Sequence, residues 1–425
     1  MAGFDRSRIN LYELLNCLTS AEDLISPELA NHHQKVAYLA LKIGEQMEVP
    51  FEQRKELVLA GLLHDIGVLS LDEHLEFVEN EAPSVWNHAF RGARLLESFP
   101  PLRGAAEIIR FHHIPWNHGA GNQFEGKPIS PLSHILHLAD RVVVAIDGKR
   151  DVIGQIKELQ QKFKARRGTY FLPEAVDAFL EISAHEYVWL DIVYKPQLSL
   201  LPDMILLDVL ELDMDDVIAL TRIFSWIIDF RSSFTATHSA GVAVIASALA
   251  GLAGFSEIEC KMMQVAGNLH DLGKLAVKPE VLEKRANLND EEFNAIRAHT
   301  FYTFRLLQSI RGFETINQWA SFHHERIDGR GYPFHLGGDS LPLGSRIMAV
   351  ADVFTAVTED RPYRRGMHKN QVLTVMKNMA DSGALCPYAV SLLASHYDSL
   401  NELRMEAQAR ASESFTDSIG IDGKP

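Results

Sequence analysis

The chain has 425 residues, 47% of them hydrophobic and 23% charged, and a formal net charge of −15. This is the composition of a globular protein with room for two or three domains. Its acidity excludes a broad electrostatic surface for a large nucleic acid, so positive charge for an anionic ligand must be local to a site.

Taken in chain order, the N-terminal MAGFDRSRIN has no apolar core of a signal peptide. Apolar residues then recur at spacings of three and four in VAYLALKIGEQM, GARLLESF, AAEIIRFHH and, much later, QVLTVMKNMA. Alternating strand patterns are nearly absent, so the expected fold class is all-α. The longest apolar run, GVAVIASALAGLAGF, is too short to span a bilayer and reads as a buried helix, with no membrane association expected. Cys17, Cys260 and Cys386 lie far apart and form no CxxC, which excludes a zinc knuckle or disulfide framework and points to a reducing cytoplasm.

The chain repeats itself. HHQKVAYLA at His32 resembles HSAGVAVIA at His238, and GLLHDIGVL resembles GNLHDLGKL. HAFRGARLLES at His88 resembles HTFYTFRLLQS at His299, and FHH occurs at both His112-His113 and His323-His324. LADRV with Asp140 matches VADVF with Asp352, and FLPEAVDAFL resembles LCPYAVSLLA. Subtracting first-copy from second-copy numbers gives 206, 206, 211, 211, 212 and 214 in that order. Conserved order and near-constant register predict two tandem helical domains. The two prolines of KPQLSLLPDM place the boundary, giving domains 1–200 and 201–405 and a small, polar, disordered tail over 406–425. VIALTRIFSWIIDF, leading into the second copy, suits packing within that copy or the contact of a homodimer.

The second copy gathers His238, His270, Asp271, His299, His323, His324 and Asp352. Five imidazoles and two carboxylates exceed the needs of one metal, and an Asp directly after a His can give one oxygen to each of two ions. Mixed His and carboxylate ligation without thiolate suits iron or manganese, with zinc or nickel as alternatives. Two such ions can activate water and clamp a phosphoryl group. The stretch HHERIDGRGYP follows the His pair with a Gly-rich basic turn, able to bring backbone N–H groups and the Arg330 guanidinium to an anion.

These signatures, HDLGK, HHERIDGRGYP, VADVFTAV and DRPYRR, closely resemble those of the HD-GYP phosphodiesterases, a branch of the HD superfamily of metal-dependent phosphohydrolases. The resemblance runs from about His238 to Arg365 and more weakly to Ser395. It implies an all-helical domain that hydrolyses a cyclic dinucleotide, chiefly cyclic di-GMP or 3′,3′-cyclic GMP-AMP, to a linear 5′-phosphorylated dinucleotide in bacterial signalling. Residue by residue, it implies one metal held by His238, His270, Asp271 and Asp352, and a second bridged by Asp271 and completed by His299, His323 and His324. It implies that Lys274 meets the scissile phosphate, so that Asp271 and Lys274 are the catalytic pair. Arg361 and Arg364 match phosphate-holding positions, and Gly331, Tyr332 and Pro333 shape the substrate loop. Glu325 and Asp328 are expected to order that loop rather than bind metal.

Two departures stand out. Three-metal members carry Glu four residues before the first His, where this copy has Phe234, so two ions are expected here. Thr355 replaces a second Asp three residues after the last metal Asp.

The first copy keeps every ligand type in His32, His64, Asp65, His88, His112, His113 and Asp140. Glu28 precedes His32 by one helical turn, on a helix begun by Ser26-Pro27, so this copy can hold two ions or a third. It has Val68 for the lysine and HHIPWNHGAGNQ in place of the GYP turn, and so resembles the wider HD superfamily. Its expected role is metal binding, with support of the second copy or removal of phosphate from a linear product. Alternative readings for the whole chain are a phosphohydrolase or 5′-nucleotidase acting on linear nucleotides, and a non-catalytic cyclic-dinucleotide sensor.

Overall fold

The computed structural model describes residues 9–24, 31–68, 86–194, 211–230, 237–282, 284, 286–360 and 365–419. Among these the chain is all-α. Its strands are two short antiparallel ribbons, Ile9–Asn10 with Glu211–Leu212 and Gln123–Phe124 with Lys127–Pro128. The described residues between 26 and 209 form one compact unit, and those before 25 join residues 211–417 in the other.

The duplication extends to helix boundaries. His32–Gln46 and His238–Leu252 are both 15 residues long, and Phe51–Leu63 and Glu257–Leu269 both 13, each pair 206 apart. Arg103–Arg110 and Glu314–Ser321 are both eight residues, 211 apart, and Pro131–Val144 and Leu343–Thr358 begin 212 apart.

In each unit the first helix lies on the second at a close crossing. A Cβ added at Gly61 would sit 2.6 Å from the Ala37 Cα, and one at Gly267 would sit 2.4 Å from the Ala243 Cα, 206 positions on. Only glycine admits that approach. Around it Val36, Leu57, Val242, Ile245 and Leu249 are fully buried, each Val, Ile or Leu stabilising by about 1.5–3 kcal/mol relative to exposure. The apolar run at 241–255 thus forms a core helix as far as Ala250; the helix ends at Leu252, which is exposed. No described helix is long and apolar enough to cross a membrane.

Capping residues set two helix starts that matter for the site. Ser256 and Glu259 form a capping box opening Glu257–Leu269, and Asn289 and Glu292 another opening Asp290–Leu307. The first ends directly before His270; the second carries His299.

Two sequence expectations need correction. The helix Leu11–Asp23, placed with the first copy in domain 1–200, packs in the C-terminal unit against Leu272–Ala276 and Asp290–Leu307. Its Leu11, Leu14, Leu15 and Leu18 are buried, and Glu13 accepts from Arg311 Nε at 2.7 Å. Sequence order favoured the nearer copy, whereas the apolar face finds its partner in the more distant one. The 406–425 tail was expected to be disordered, yet Tyr397–Ile419 is one helix. Its Ala, Glu, Gln and Arg are strong helix formers, and no Gly or Pro interrupts them before Gly420.

Candidate active site

In the C-terminal unit, the crossing of His238–Leu252 with Leu343–Thr358 brings His238 Nε2 to 3.1 Å from Asp352 Oδ1. The Glu257–Leu269 helix ends into His270-Asp271, where His270 Nε2 lies 3.2 Å from Asp271 Oδ2. The other oxygen, Asp271 Oδ1, faces His299 Nε2 at 3.4 Å and His323 Nε2 at 4.0 Å. His299, His323 and His324 form one potential ligand trio and His238, His270 and Asp352 another. Asp271 therefore stands between the two groups with one oxygen turned toward each.

Gly273 makes this convergence sterically feasible. A Cβ there would sit 2.0 Å from the His299 carbonyl oxygen, so the turn after Asp271 reaches the His299 helix only with glycine. Thr303 Oγ1 ties the two together, accepting from Gly273 N at 2.9 Å and donating to the His270 carbonyl at 3.2 Å.

The imidazoles are oriented for ligation. His270, His299 and His323 each direct Nδ1 at a backbone carbonyl, of Gly267, Ile296 and Ala320, at 2.8, 2.5 and 2.6 Å. A carbonyl accepts only, so Nδ1 carries a proton and Nε2 is the atom left to present a lone pair to a metal. Burial pushes His299 down to about 3 and His323 well below the usual imidazole range, so both are neutral at pH 7. Their Nε2 atoms nonetheless face each other at 3.4 Å, lone pair to lone pair, which a cation between them would resolve. His270 Nε2 and Asp271 Oδ1 are buried without a hydrogen-bond partner. Two donors bound at about 2.1 Å to one ion lie roughly 3.0 Å (cis) to 4.2 Å (trans) apart. The donor separations above fall in that window, and the residues fit a divalent metal.

Lys274 Nζ lies 2.5 Å from Asp271 Oδ2. Burial would lower the lysine, but Asp271 outweighs it and the ammonium is stabilised. Burial likewise would raise Asp271, but His270 and Lys274 hold it well below the usual carboxylate range.

The loop after the His pair is ordered as expected for Glu325 and Asp328. Buried Glu325 accepts from Phe334 N at 2.6 Å and Leu336 N at 2.9 Å, while Asp328 accepts from Arg330 N at 3.0 Å and Arg326 Nε at 3.0 Å. Gly331 packs against the Glu325 backbone, and Tyr332-Pro333 is a cis bond. The Tyr332 ring is 5.0 Å from the His324 ring, with the Arg297 guanidinium 5.0 Å over its face. The Arg330 side chain is exposed. Thr355 is buried against Gly241 of the His238 helix. Glu28, Phe234, Arg361 and Arg364 lie outside the described residues.

Sequence reasoning missed Glu359 and Gln408. Glu359 Oε2 is 3.2 Å from His238 Nδ1, and Gln408 Nε2 donates to Glu359 Oε2 and to the Thr237 carbonyl, each at 3.3 Å. Gln408 comes from the helix expected to be disordered. Burial would lower His238, but Glu359 and Asp352 push it up to about 10.

The N-terminal unit repeats the centre. His32 Nε2 lies 3.4 Å from Asp140 Oδ1, His64 Nε2 3.2 Å from Asp65 Oδ2, and His88 Nε2 3.4 Å from Asp65 Oδ1. His64 and His112 direct Nδ1 at the Gly61 and Ile109 carbonyls at 2.9 and 2.7 Å, and His112 Nε2 is buried without a partner. Gly67 repeats Gly273: a Cβ there would sit 2.1 Å from the His88 carbonyl oxygen. The surroundings differ. Arg141 donates to Asp140 Oδ2 through Nε at 2.9 Å and Nη2 at 2.7 Å. A second imidazole, His33, which sequence reasoning passed over, joins the cluster.

Helical units that converge on paired His/Asp centres define a tandem HD-domain phosphohydrolase. HD-domain family models match residues 29–145 and 222–385. The chain is 30% identical over 391 residues to the 3′3′-cGAMP-specific phosphodiesterase 1 of Vibrio cholerae, covering 89% of each protein. It is 27% identical over 425 residues to phosphodiesterase 3 of the same description from that organism, covering 86% of this chain and 90% of that protein. A cyclic di-GMP phosphodiesterase of Thermotoga maritima is 33% identical over 152 residues, 35% of this chain and 41% of its own length. A crystal structure of a cyclic GMP-AMP specific phosphodiesterase from V. cholerae shares the fold with a TM-score of 0.63 at 24% identity, over 92% of this chain and 98% of that one. The chain belongs to the HD-GYP family of HD-domain phosphodiesterases.

Proposed function

We propose that the C-terminal unit hydrolyses a cyclic dinucleotide to its linear 5′-phosphorylated form, with 3′,3′-cyclic GMP-AMP as first candidate and cyclic di-GMP as second. One observation carries the reading: two ligand groups meet on the two oxygens of Asp271, with Lys274 and the Tyr332 loop beside them. The order of candidates follows from coverage. The relatives named for cGAMP match across both units, whereas the T. maritima protein named for cyclic di-GMP matches about a third of the chain.

In this reading His238, His270, Asp271 and Asp352 hold one divalent ion, and Asp271, His299, His323 and His324 a second. Iron or manganese suits imidazole and carboxylate donors without thiolate. When bound, such ions supply Lewis-acid polarisation of phosphoryl oxygen and activation of water. Lys274 offsets charge developing on the phosphoryl oxygens as the P–O bond to the 3′-oxygen breaks. Tyr332 presents a ring face for a base, held from behind by Arg297. Arg330, Arg361 and Arg364 supply the local positive charge that an acidic chain otherwise lacks.

The test is incubation of iron- or manganese-loaded protein with cyclic di-GMP, 3′,3′-cyclic GMP-AMP and cyclic di-AMP, with chromatographic resolution of products. We expect linear dinucleotide from the first two. Absence of cleavage of any of them, with metal content confirmed, overturns the reading.

The N-terminal unit supports a second activity, because its donors converge as closely as those of the C-terminal unit. We propose phosphate removal from a linear product, assigned by phosphate release from His64→Ala and His270→Ala chains. A cytoplasmic location suits a nucleotide second-messenger substrate. A homodimer is supported by exposed Tyr187, Leu190, Val193 and Tyr194 and is tested by sedimentation.

A further inference from the structure

His238 is oriented differently from the other imidazoles of its centre. His270, His299 and His323 each turn Nδ1 to the carbonyl three residues back. His238 is the first residue of its helix, so no preceding turn offers that carbonyl. Glu359 takes the place, its Oε2 3.2 Å from His238 Nδ1. This leaves His238 Nε2 facing Asp352 Oδ1 at 3.1 Å. Glu359 itself lies just beyond the helix Leu343–Thr358, and a second group reaches the same oxygen: Gln408 Nε2 donates to it at 3.3 Å.

The helix Tyr397–Ile419 is built to deliver that amide. Tyr397, Leu400, Arg404 and Ala411 are buried and Gln408 half-buried, all at helical spacing along one face. Tyr397 packs edge-on against Phe354, ring centres 5.6 Å apart. The middle of the face is polar where leucine would pack as well, and burying Arg and Gln costs free energy unless they are hydrogen-bonded. Here they are. Arg404 donates to Asn401 Oδ1 through Nε and Nη2, at 3.2 and 3.0 Å, and to Gln408 Oε1 through Nη1 at 2.5 Å. That donor fixes the amide with its nitrogen toward Glu359 and the Thr237 carbonyl, the latter at 3.3 Å. Gly241 makes room: a Cβ there would lie 3.1 Å from Gln408 Nε2.

The N-terminal unit lacks this clamp among the described residues. At the register of Glu359 it has Asp147, exposed and accepting from Lys149 N at 2.9 Å. At the register of Gln408 it has Tyr194, 88% exposed and just past the end of the helix Glu186–Val193.

We infer that Gln408 is a positioning residue of the C-terminal centre, and that the Tyr397–Ile419 helix and a metal ion at His238 and Asp352 hold each other in place. Coupling of two binding events is reciprocal, so an ion that binds better with the helix docked also keeps the helix docked. Whatever draws the helix away lowers the metal affinity of this centre and leaves the N-terminal one alone. This rests on the metal-binding reading above.

The test is hydrogen exchange over residues 400–411 in the full chain, metal-free and loaded with Mn²⁺, in wild type, Gln408→Leu and His238→Ala, with bound metal counted by elemental analysis. In wild type we expect metal to slow exchange about 10-fold, the lower end of what outer partners of a metal site contribute. In Gln408→Leu the helix keeps its apolar anchors, but metal should no longer slow it; a purely packing role for Gln408 would speed exchange equally with and without metal. Gln408→Glu, of the same shape but with no donor for Glu359, should weaken Mn²⁺ binding at least as much as Gln408→Leu. Metal-independent exchange in wild type overturns the inference without any variant, as does metal-dependent protection that survives in His238→Ala or Gln408→Leu. A wild-type chain from which His238→Ala removes no metal sinks the metal-binding reading together with this one. Metal lost in His238→Ala, with wild-type helix exchange indifferent to metal, removes this one alone.

Discussion

Replacing Gly273 by alanine perturbs the C-terminal centre without touching a ligand side chain. The added Cβ would meet the His299 carbonyl oxygen at 2.0 Å and Thr303 N at 2.8 Å. Real Cβ atoms essentially never approach closer than 3.0 Å, so backbone must give by at least 1.0 Å, the difference from 2.0 Å. The atoms that must give are helix and turn backbone, which cannot swing aside as a flexible side chain can. The shift separates His299 from Asp271, whose Nε2 and Oδ1 stand 3.4 Å apart. Overpacking of this kind costs about 1–3 kcal/mol, and a misplacement of about 1 Å costs on the order of 10²-fold in rate. We therefore expect Gly273→Ala to fold with a lower midpoint, to lose metal from the His299, His323, His324 group, and to fall about 10²-fold in kcat/KM for cyclic dinucleotide. Gly67→Ala, whose Cβ would meet the His88 carbonyl at 2.1 Å, should weaken N-terminal metal binding and spare C-terminal hydrolysis. A Gly273→Ala enzyme with wild-type rate and metal content would refute the close-approach argument.

Lys274→Ala should retain metal yet lose about 10²–10³-fold in kcat, the scale for removing one donor aimed at developing charge; retained turnover under metal saturation would remove the lysine from the chemistry. Glu359→Gln should lower the His238 pKa from about 10 and so reduce the protons released when metal binds at pH 7. Calorimetry in buffers of different ionisation enthalpy reads this directly, and unchanged release would separate Glu359 from His238. Gln408→Ala should weaken the same centre more mildly, as a loss of metal affinity at unchanged fold. Asp229 is pushed up to about 7 by burial, against the opposing pull of His238 and Ser239. From about pH 4, the unfolded value, to about 7, the folded chain holds a proton that the unfolded chain has lost, so stability falls as pH rises through that window. In metal-stripped protein, Asp229→Asn should flatten that slope, as read from denaturant midpoints; parallel pH profiles for the two proteins would count against the raised pKa.

The all-α fold and the duplication were legible because helical spacing and histidine register survive divergence. The ligand positions were legible for the same reason, since each His or Asp is tied to a helix end or crossing that both copies keep. What the sequence hid were contacts whose signal is not local. Glu359 and Gln408 are 121 and 170 residues from His238, and nothing in their own surroundings marks them as partners of an imidazole. The composition of the helix that carries Gln408 reads equally well as a solvated tail. The docking of Leu11–Asp23 in the C-terminal unit was hidden by its place in the chain, because an amphipathic face does not name its partner. His33 was hidden because the second copy has Ser239 at that register, so the repeat offers it no counterpart.

The divergence between copies has a physical direction. Both units keep the expensive part, buried imidazoles whose Nδ1 protons are spent on backbone carbonyls so that Nε2 lone pairs converge. Such a centre is costly without a cation, because the neutral His299 and His323 hold Nε2 to Nε2 at 3.4 Å, and His32 and His64 hold theirs at 3.3 Å. Had the N-terminal unit lost its need for metal, relieving that cost would take one substitution at His32, His64 or His112, yet all three remain. Change has fallen instead on the charges around the carboxylates. Lys274 on Asp271 gives way to Val68 and His33 around Asp65, and Asp140 gains Arg141. Charges beside a metal centre bear on how a phosphate is bound and oriented there and on how its developing charge is offset. Retained donors with altered neighbouring charges are what two related phosphoryl chemistries on one scaffold require.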